Sequence, residues 1–383
     1  MRSIRPALAL GLLLSLLVIA CSGGGVGGDG GVNGTGGGGS ASTDPVLAGR
    51  WDGAFFGRMF DLPNTLPSLD VRGGKAHLLY RSKTLNSTYL VFDGAGGSQE
   101  IAFPQGTKDP GRVTTLPDGS CVVVLQNVID GSFSAYRQQE GVVTALPAPT
   151  GPGVTVRPPE VATLGSAPLV AFASATGMPT VVVLRLGANA WESVGRFPAS
   201  STVSRVRLAS DGQRAVLMSL EGPGTRVIRS WDGSAWRELS GLPASNGASA
   251  LPSVVVDGPR TYFLEWQEGA QQAVVWVHDG TSWSEHARSK SGEGFHGLVL
   301  HGGALYTMIS QSPNFGGPPA TFGFARLDRG SVVRGAAPQL PDGSRFDSMD
   351  YEESALVSRD QDLWLAYQEA GSAPTVRLLH LAR

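Results

Sequence analysis

The stretch Trp231-Asp232-Gly233-Ser234-Ala235-Trp236 sets an Asp-Gly pair between two β-prone flanks, which is the strongest short-range cue for a tight antiparallel turn. Working outward, residues 225–231 and 236–242 read as the two strands that this turn joins. Upstream, residues 203–209 and 214–220 read as two further strands, joined at Asp211-Gly212. Together they make one unit of four antiparallel strands. An aromatic residue or leucine followed by proline closes the unit at Leu242-Pro243.

The unit recurs. Closing pairs stand at Leu62-Pro63, Phe103-Pro104, Leu146-Pro147, Phe197-Pro198, Leu242-Pro243 and Leu340-Pro341. The one wide gap holds two periods, with Ser289-Lys290 where the missing pair would fall. A period of about 45 residues suits a four-stranded sheet repeated around an axis. First turns recur at Gly73-Gly74, Asp118-Gly119, Gly165-Ser166, Asp257-Gly258, Gly302-Gly303 and Asp360-Gln361. Third-to-fourth turns recur at Asp93-Gly94, Glu140-Gly141, Ala188-Asn189, Asp279-Gly280 and Arg329-Gly330. With 53 glycines and 25 prolines, long helices would be broken repeatedly. The predicted fold is therefore all-β.

Four-stranded sheets repeated in this way can protect their edges by closing radially into a β-propeller. The last period stops after three strands, at about residue 381. At the other end, Arg50-Trp51-Asp52-Gly53 copies the phase of Trp231-Asp232-Gly233. The N-terminal strand is thus expected to complete the C-terminal blade and to close a ring of seven. Trp231-Asp232-Gly233-Ser234-Ala235-Trp236 and His278-Asp279-Gly280-Thr281-Ser282-Trp283 resemble the repeats of kelch-like and other bacterial propellers. The paired glycines of kelch second strands are absent, as is the Gly-His to Trp-Asp signature of WD40 blades, so the resemblance carries a fold and no activity. Trp51, Trp191, Trp231, Trp236 and Trp283 are read as packing between neighbouring blades.

Upstream of the repeats, Arg2 and Arg5 precede an apolar run from Ala7 to Ala20 that is too short to span a bilayer. The run ends at Val18-Ile19-Ala20-Cys21, which resembles a bacterial lipoprotein signal. The resemblance implies cleavage after residue 20, acylation of Cys21 with fatty acyl chains such as palmitate, and a membrane anchor made of lipid. Ser22, rather than Asp, after the cysteine implies the outer membrane, facing the periplasm or the cell surface. Residues 21–45 read as the lipidated cysteine and a Gly-rich tether with an r.m.s. reach of ~25 Å. Residues 46–383 are the expected propeller domain, a monomer.

The formal net charge is −2 with no basic run, which argues against nucleic acid as a partner. Cys121, the second of two cysteines, sits in an apolar strand and reads as a buried side chain. The Asp-Gly turns share one face of the ring and are short. The opposite face carries the longer, varied connections, where binding usually lies. On it the sequence places Arg112, Arg157, Glu160, Arg205, Glu221, Gln267, His296 and Gln311, with Gln or Glu recurring where second strands end. Two long loops join them: 310–321, and 342–353 with Asp350, Tyr351 and Glu352 in an acidic group. The EF-hand pattern is absent, so no metal site is assigned, and no cofactor motif occurs. The expected function is a non-catalytic binding or scaffolding module for a protein or glycan. The rival is a sialidase-like glycosidase, in which Tyr351, Glu352, Asp350, Arg157 and Arg205 would be enlisted.

Overall fold

The computed structural model describes residues 44–58, 67–81, 86–92, 98–106, 111–126, 132–148, 159–174, 177–222, 224–244, 252–311, 321–336, 338, 349–359, 361–369 and 375–381. Cys21, the signal and nearly all of the tether lie outside them. Seven antiparallel sheets of four strands each form the blades of a β-propeller. Their innermost strands are Ser68–Arg72, Arg112–Thr115, Glu160–Leu164, Val203–Ser210, Ser253–Asp257, Glu293–His301 and Met349–Arg359, from blade 1 to blade 7. Each inner strand lies beside the next, and Met349–Arg359 lies beside Ser68–Arg72, so the ring is closed.

Closure follows the phase of the sequence repeat. Trp51–Arg58 is the outer strand of blade 7 and pairs antiparallel with Thr375–Leu381, Trp51 opposite Leu381 and Arg58 opposite Thr375. Asp44 fastens the chain just ahead of it. Its side chain caps the short helix Pro45–Ala48, accepting from Val46 N at 3.1 Å. The other carboxylate oxygen accepts from Tyr306 Oη at 2.9 Å and Arg326 Nη1 at 3.0 Å in blade 6. Ala336 N also donates to Leu47 O at 2.9 Å. The N-terminal segment therefore bridges the last two blades.

The turn chemistry explains the recurring aspartates. Asp232 Oδ1 accepts from Ser234 N at 3.0 Å and Ala235 N at 2.9 Å, and Asp279 Oδ1 accepts from Thr281 N at 2.9 Å and Ser282 N at 3.0 Å. Those amides, with the neighbouring hydroxyls, hold both carboxyls well below the usual range, Asp232 at about 2. Each side chain thereby mimics a backbone turn. Gly233 follows at φ +97° and Gly280 at φ +105°, a region that glycine enters without a Cβ penalty.

Between blades the core is aliphatic and aromatic, as the alternating strands require. Trp191 Nε1 donates to Pro147 O at 2.8 Å, and Trp283 Nε1 donates to Leu239 O at 2.9 Å. Each indole thus reaches the outer edge of the preceding blade. Trp236 meets Phe197 edge-on at 5.8 Å, and Trp51 stacks on Phe324 at 4.8 Å. One expected strand is shorter than its pattern: the outer strand of blade 4 is Trp236–Glu238 and stops well before residue 242. Gly241 at φ +82° turns the chain away, while Leu239 and Leu242 still pack under the sheet.

Candidate binding site in the central channel

The inner strands enclose a cavity of about 430 Å³, lined by residues from all seven blades. It occupies the half of the channel nearest the short first turns, since its lining lies within a few residues of them. The wall is largely aliphatic, including Val161, Val255, Leu300 and Val357, all half-buried. Its polar floor is a chain of hydrogen bonds across four blades. Asp70 Oδ2 accepts from Thr115 N at 2.7 Å and Thr115 Oγ1 at 2.9 Å, and Arg359 Nη1 donates to Thr115 Oγ1 at 2.6 Å. Thr163 Oγ1 donates to Thr115 O at 2.7 Å. The chain joins blades 7, 1, 2 and 3 where the ring is sealed.

On the long-loop side of this cavity stands a charged cluster, Arg112, Glu160 and Arg207, from the inner strands of blades 2, 3 and 4. Gly111 delivers the first of them. At φ +91°, with a Cβ that would fall 2.2 Å from Val124 O, only glycine lets the backbone enter the strand there. Arg112 Nη1 then donates back to Gly111 O at 2.9 Å. Arg112 Nε and Nη2 both lie 3.3 Å from Glu160 Oε1, and Arg207 Nη1 lies 2.5 Å from the same oxygen. Arg207 Nε donates to Pro252 O at 3.2 Å. The side chains are 14%, 12% and 22% exposed in chain order. Burial would raise the Glu160 carboxyl, but Arg207 and Arg112 outweigh it and hold it below the ordinary carboxylate range. Glu160 therefore stays ionised, suited to accept hydrogen bonds and poorly suited to deliver a proton.

The other residues singled out in the sequence are placed as follows. Glu221 is buried and turned inward, accepting from Ser200 N at 3.0 Å, Ser200 Oγ at 3.2 Å and Ser219 Oγ at 3.0 Å. Gln267 donates to Glu265 Oε1 at 3.1 Å and accepts from Arg288 Nη1 at 3.1 Å. Arg205 is half-buried in the inner strand of blade 4 and has partners of its own. Arg157 lies outside the described residues. Gln311, Asp350, Tyr351 and Glu352 are described by their backbone alone. Gln311 pairs with Glu293 and Thr321, and the ladder of blade 7 is irregular between Asp350 and Ser354, the interval that holds Tyr351 and Glu352.

Four further buried groups, Glu265, Glu293, Cys121 and His296, are held in structural contacts. Glu265, fully buried, is ion-paired with Arg226 of the preceding blade and accepts from Trp276 Nε1 at 2.8 Å. Glu293 pairs with Arg334 Nη2 at 2.5 Å. Cys121 Sγ donates to Tyr89 Oη at 3.1 Å, and burial pushes its thiol up to about 12, far from a reactive thiolate. His296 lies 2.6 Å from Ser310 Oγ and is lowered to about 4 by burial, which keeps it neutral at pH 7. Among the described residues no three His, Cys, Asp or Glu side chains converge as a metal site.

No family model matches the chain, and no curated protein matches it in sequence. Its shape is shared with solved structures. An ulvan lyase of polysaccharide lyase family PL25, bound to GlcA(1-4)Rha3S, superposes with a TM-score of 0.58 at 10% identity, covering 86% of this chain and 95% of that one. A catalytically inactive virginiamycin B lyase from Staphylococcus aureus, with quinupristin, gives 0.52 at 13% identity over 84% and 98%. The β-propeller domain of the trilobed protease from Pyrococcus furiosus, described as having an open velcro topology, gives 0.51 at 9% identity over 83% and 98%. At these identities the likeness is one of fold, and this chain is a seven-bladed β-propeller whose ring its own N-terminal strand seals.

Proposed function

We propose that this protein is a non-catalytic binding or scaffolding module, held at the outer membrane by lipid on Cys21, that engages a protein or glycan through the long-loop face of the propeller. The observation that supports it best is the Arg112–Glu160–Arg207 cluster, ionised donors and an ionised acceptor on the rigid inner rim behind that face. Rigid polar groups fix a ligand's orientation without an ordering cost at the moment of binding. The Gly-rich tether that the sequence reads at residues 21–45 is the part of this proposal that supplies reach from the lipid surface.

The second reading is enzymatic, either the sialidase-like hydrolase considered from the sequence or a lyase. Its support is that two solved structures of similar shape are lyases. An ionised Glu160 is a poor general acid, which favours binding. A glycan array run beside hydrolysis and lyase assays on the same polysaccharides separates the two. Binding without turnover is expected. Turnover abolished by Glu352→Gln, Asp350→Asn or Glu160→Gln would overturn the binding reading. For the anchor, Cys21→Ala is expected to move the protein from the membrane to the soluble fraction, and its persistence on membranes would refute the lipid.

A further inference from the structure

We infer that the channel rim selects an acidic saccharide, with the Arg112–Glu160–Arg207 cluster taking a sugar carboxylate together with a neighbouring hydroxyl. This inference rests on the binding reading above and names its ligand class.

The seven inner strands can be aligned on one level through their first turns. The partners Leu79, Val124, Ala171, Met218, Leu264 and Ala366 on the second strands fall at that level opposite Ser68, Arg112, Glu160, Arg207, Ser253 and Ala355. In blade 6 the same place falls in the irregular step between His296 and Val299, at Gly297. A repeated contact between blades checks the alignment. Val113 N donates to Ser68 Oγ of the preceding blade at 3.0 Å, and Leu298 N donates to Ser253 Oγ of its preceding blade at 3.1 Å.

At this level the ring is lopsided. Blades 2, 3 and 4 carry two guanidiniums and one carboxylate, whereas the other four carry Ser68, Ser253, Gly297 and Ala355. A Cβ built on Gly297 would meet no described atom closer than Leu356 Cβ at 4.0 Å. At this level the charged arc thus stands on one side of the ring and small residues on the other.

Two of its polar atoms are available. Among the described residues, no protein atom engages Arg207 Nη2 or Glu160 Oε2, and neither is a buried atom lacking a partner. The cluster carries one net positive charge, so it favours an anion. Arg207 Nη2 can donate a charge-assisted hydrogen bond to a ligand carboxylate. The open Glu160 oxygen beside it is repelled by a bare anion but accepts from a hydroxyl. A hexuronate offers both groups on adjacent ring positions.

The test uses the full-length lipoprotein in detergent and a galacturonate oligosaccharide, with its methyl ester as the neutral control, by titration calorimetry. The acid should bind at least about tenfold more tightly than the ester, and the preference should shrink as salt rises. Arg207→Gln should cost the acid about tenfold or more and change ester binding little. Glu160→Gln should instead widen the preference for acid over ester, because the hydroxyl contact it weakens is common to both sugars while the local positive charge rises. That opposite sign is the readout that a merely structural role for the cluster would not produce. If Arg207→Gln fails to fold, Glu160→Gln and the salt series decide the matter alone. Equal binding of acid and ester, or a narrower preference for acid over ester in Glu160→Gln, overturns the inference while leaving a glycan module in place. Binding of neither sugar, with a protein ligand found instead, overturns it too.

Discussion

Trp51 is the side chain on which ring closure should depend most. It is 2% exposed, its ring stacks on Phe324 of blade 6, and its backbone pairs with Leu381 in blade 7. Truncating a buried tryptophan to alanine costs about 3–5 kcal/mol through lost transfer energy and the cavity left behind, with roughly 1 kcal/mol more from the lost aromatic pair. Trp51→Ala should therefore lower the unfolding free energy by about 4–6 kcal/mol, measured by guanidinium denaturation followed by far-ultraviolet circular dichroism. Trp51→Phe sharpens the test. Trp51 Nε1 is buried without a hydrogen-bond partner among the described residues, so phenylalanine removes an unsatisfied donor, worth about 1–3 kcal/mol, while losing some volume. Its net cost should be small. Trp191→Phe makes the same covalent change but breaks a real bond to Pro147 O, so it should cost more. A Trp51→Ala change within about 1 kcal/mol of wild type, or Trp51→Phe costing more than Trp191→Phe, would refute the reasoning.

Arg226→Met should destabilise the protein by about 3–5 kcal/mol because it strands the buried Glu265 carboxylate, and Arg226→Met with Glu265→Leu should recover most of that loss; denaturation midpoints of both variants check this. His77 and His296 are each lowered from 6.5 to about 4, chiefly by burial. A histidine with a depressed folded pKa leaves the unfolded chain binding more protons below its own pKa of about 6.5, so stability should fall from there toward pH 4, by roughly 3 kcal/mol per histidine. Melting temperatures across that range should drop less in His77→Asn than in wild type, and a flat wild-type profile would refute the assignment. A chain beginning at Pro67 lacks the strand that pairs with Thr375–Leu381 and should aggregate through the exposed edge; gel filtration reads the outcome.

The ring was legible because its signals are local and periodic. Asp232-Gly233 and Asp279-Gly280 mark turns by their own hydrogen bonds, and Trp51 repeats the phase of Trp231 closely enough to fix both blade count and closure. The shortened outer strand of blade 4 was not, since a glycine at residue 241 stops pairing while the pattern of Leu239 and Leu242 runs on. Arg112, Glu160 and Arg205 were each placed on the long-loop face, without any grouping among them, whereas Arg207, the residue that joins the first two, was not singled out. Side chains two apart on a strand share a face, so only depth along the channel separates them, and depth is set by the turn. The missing signal was nevertheless in the chain: Glu160 lies 48 residues after Arg112 and 47 before Arg207, the same place in three successive repeats. Glu221 and Gln267 recur at second-strand ends and satisfied the sequence pattern equally well. Whether a polar strand end faces a ligand or folds back on its own blade depends on hydroxyls and guanidiniums supplied from elsewhere, here Ser200 and Arg288. Periodicity therefore locates the rim, and the partners available at each position decide which of its charges remain open to a ligand.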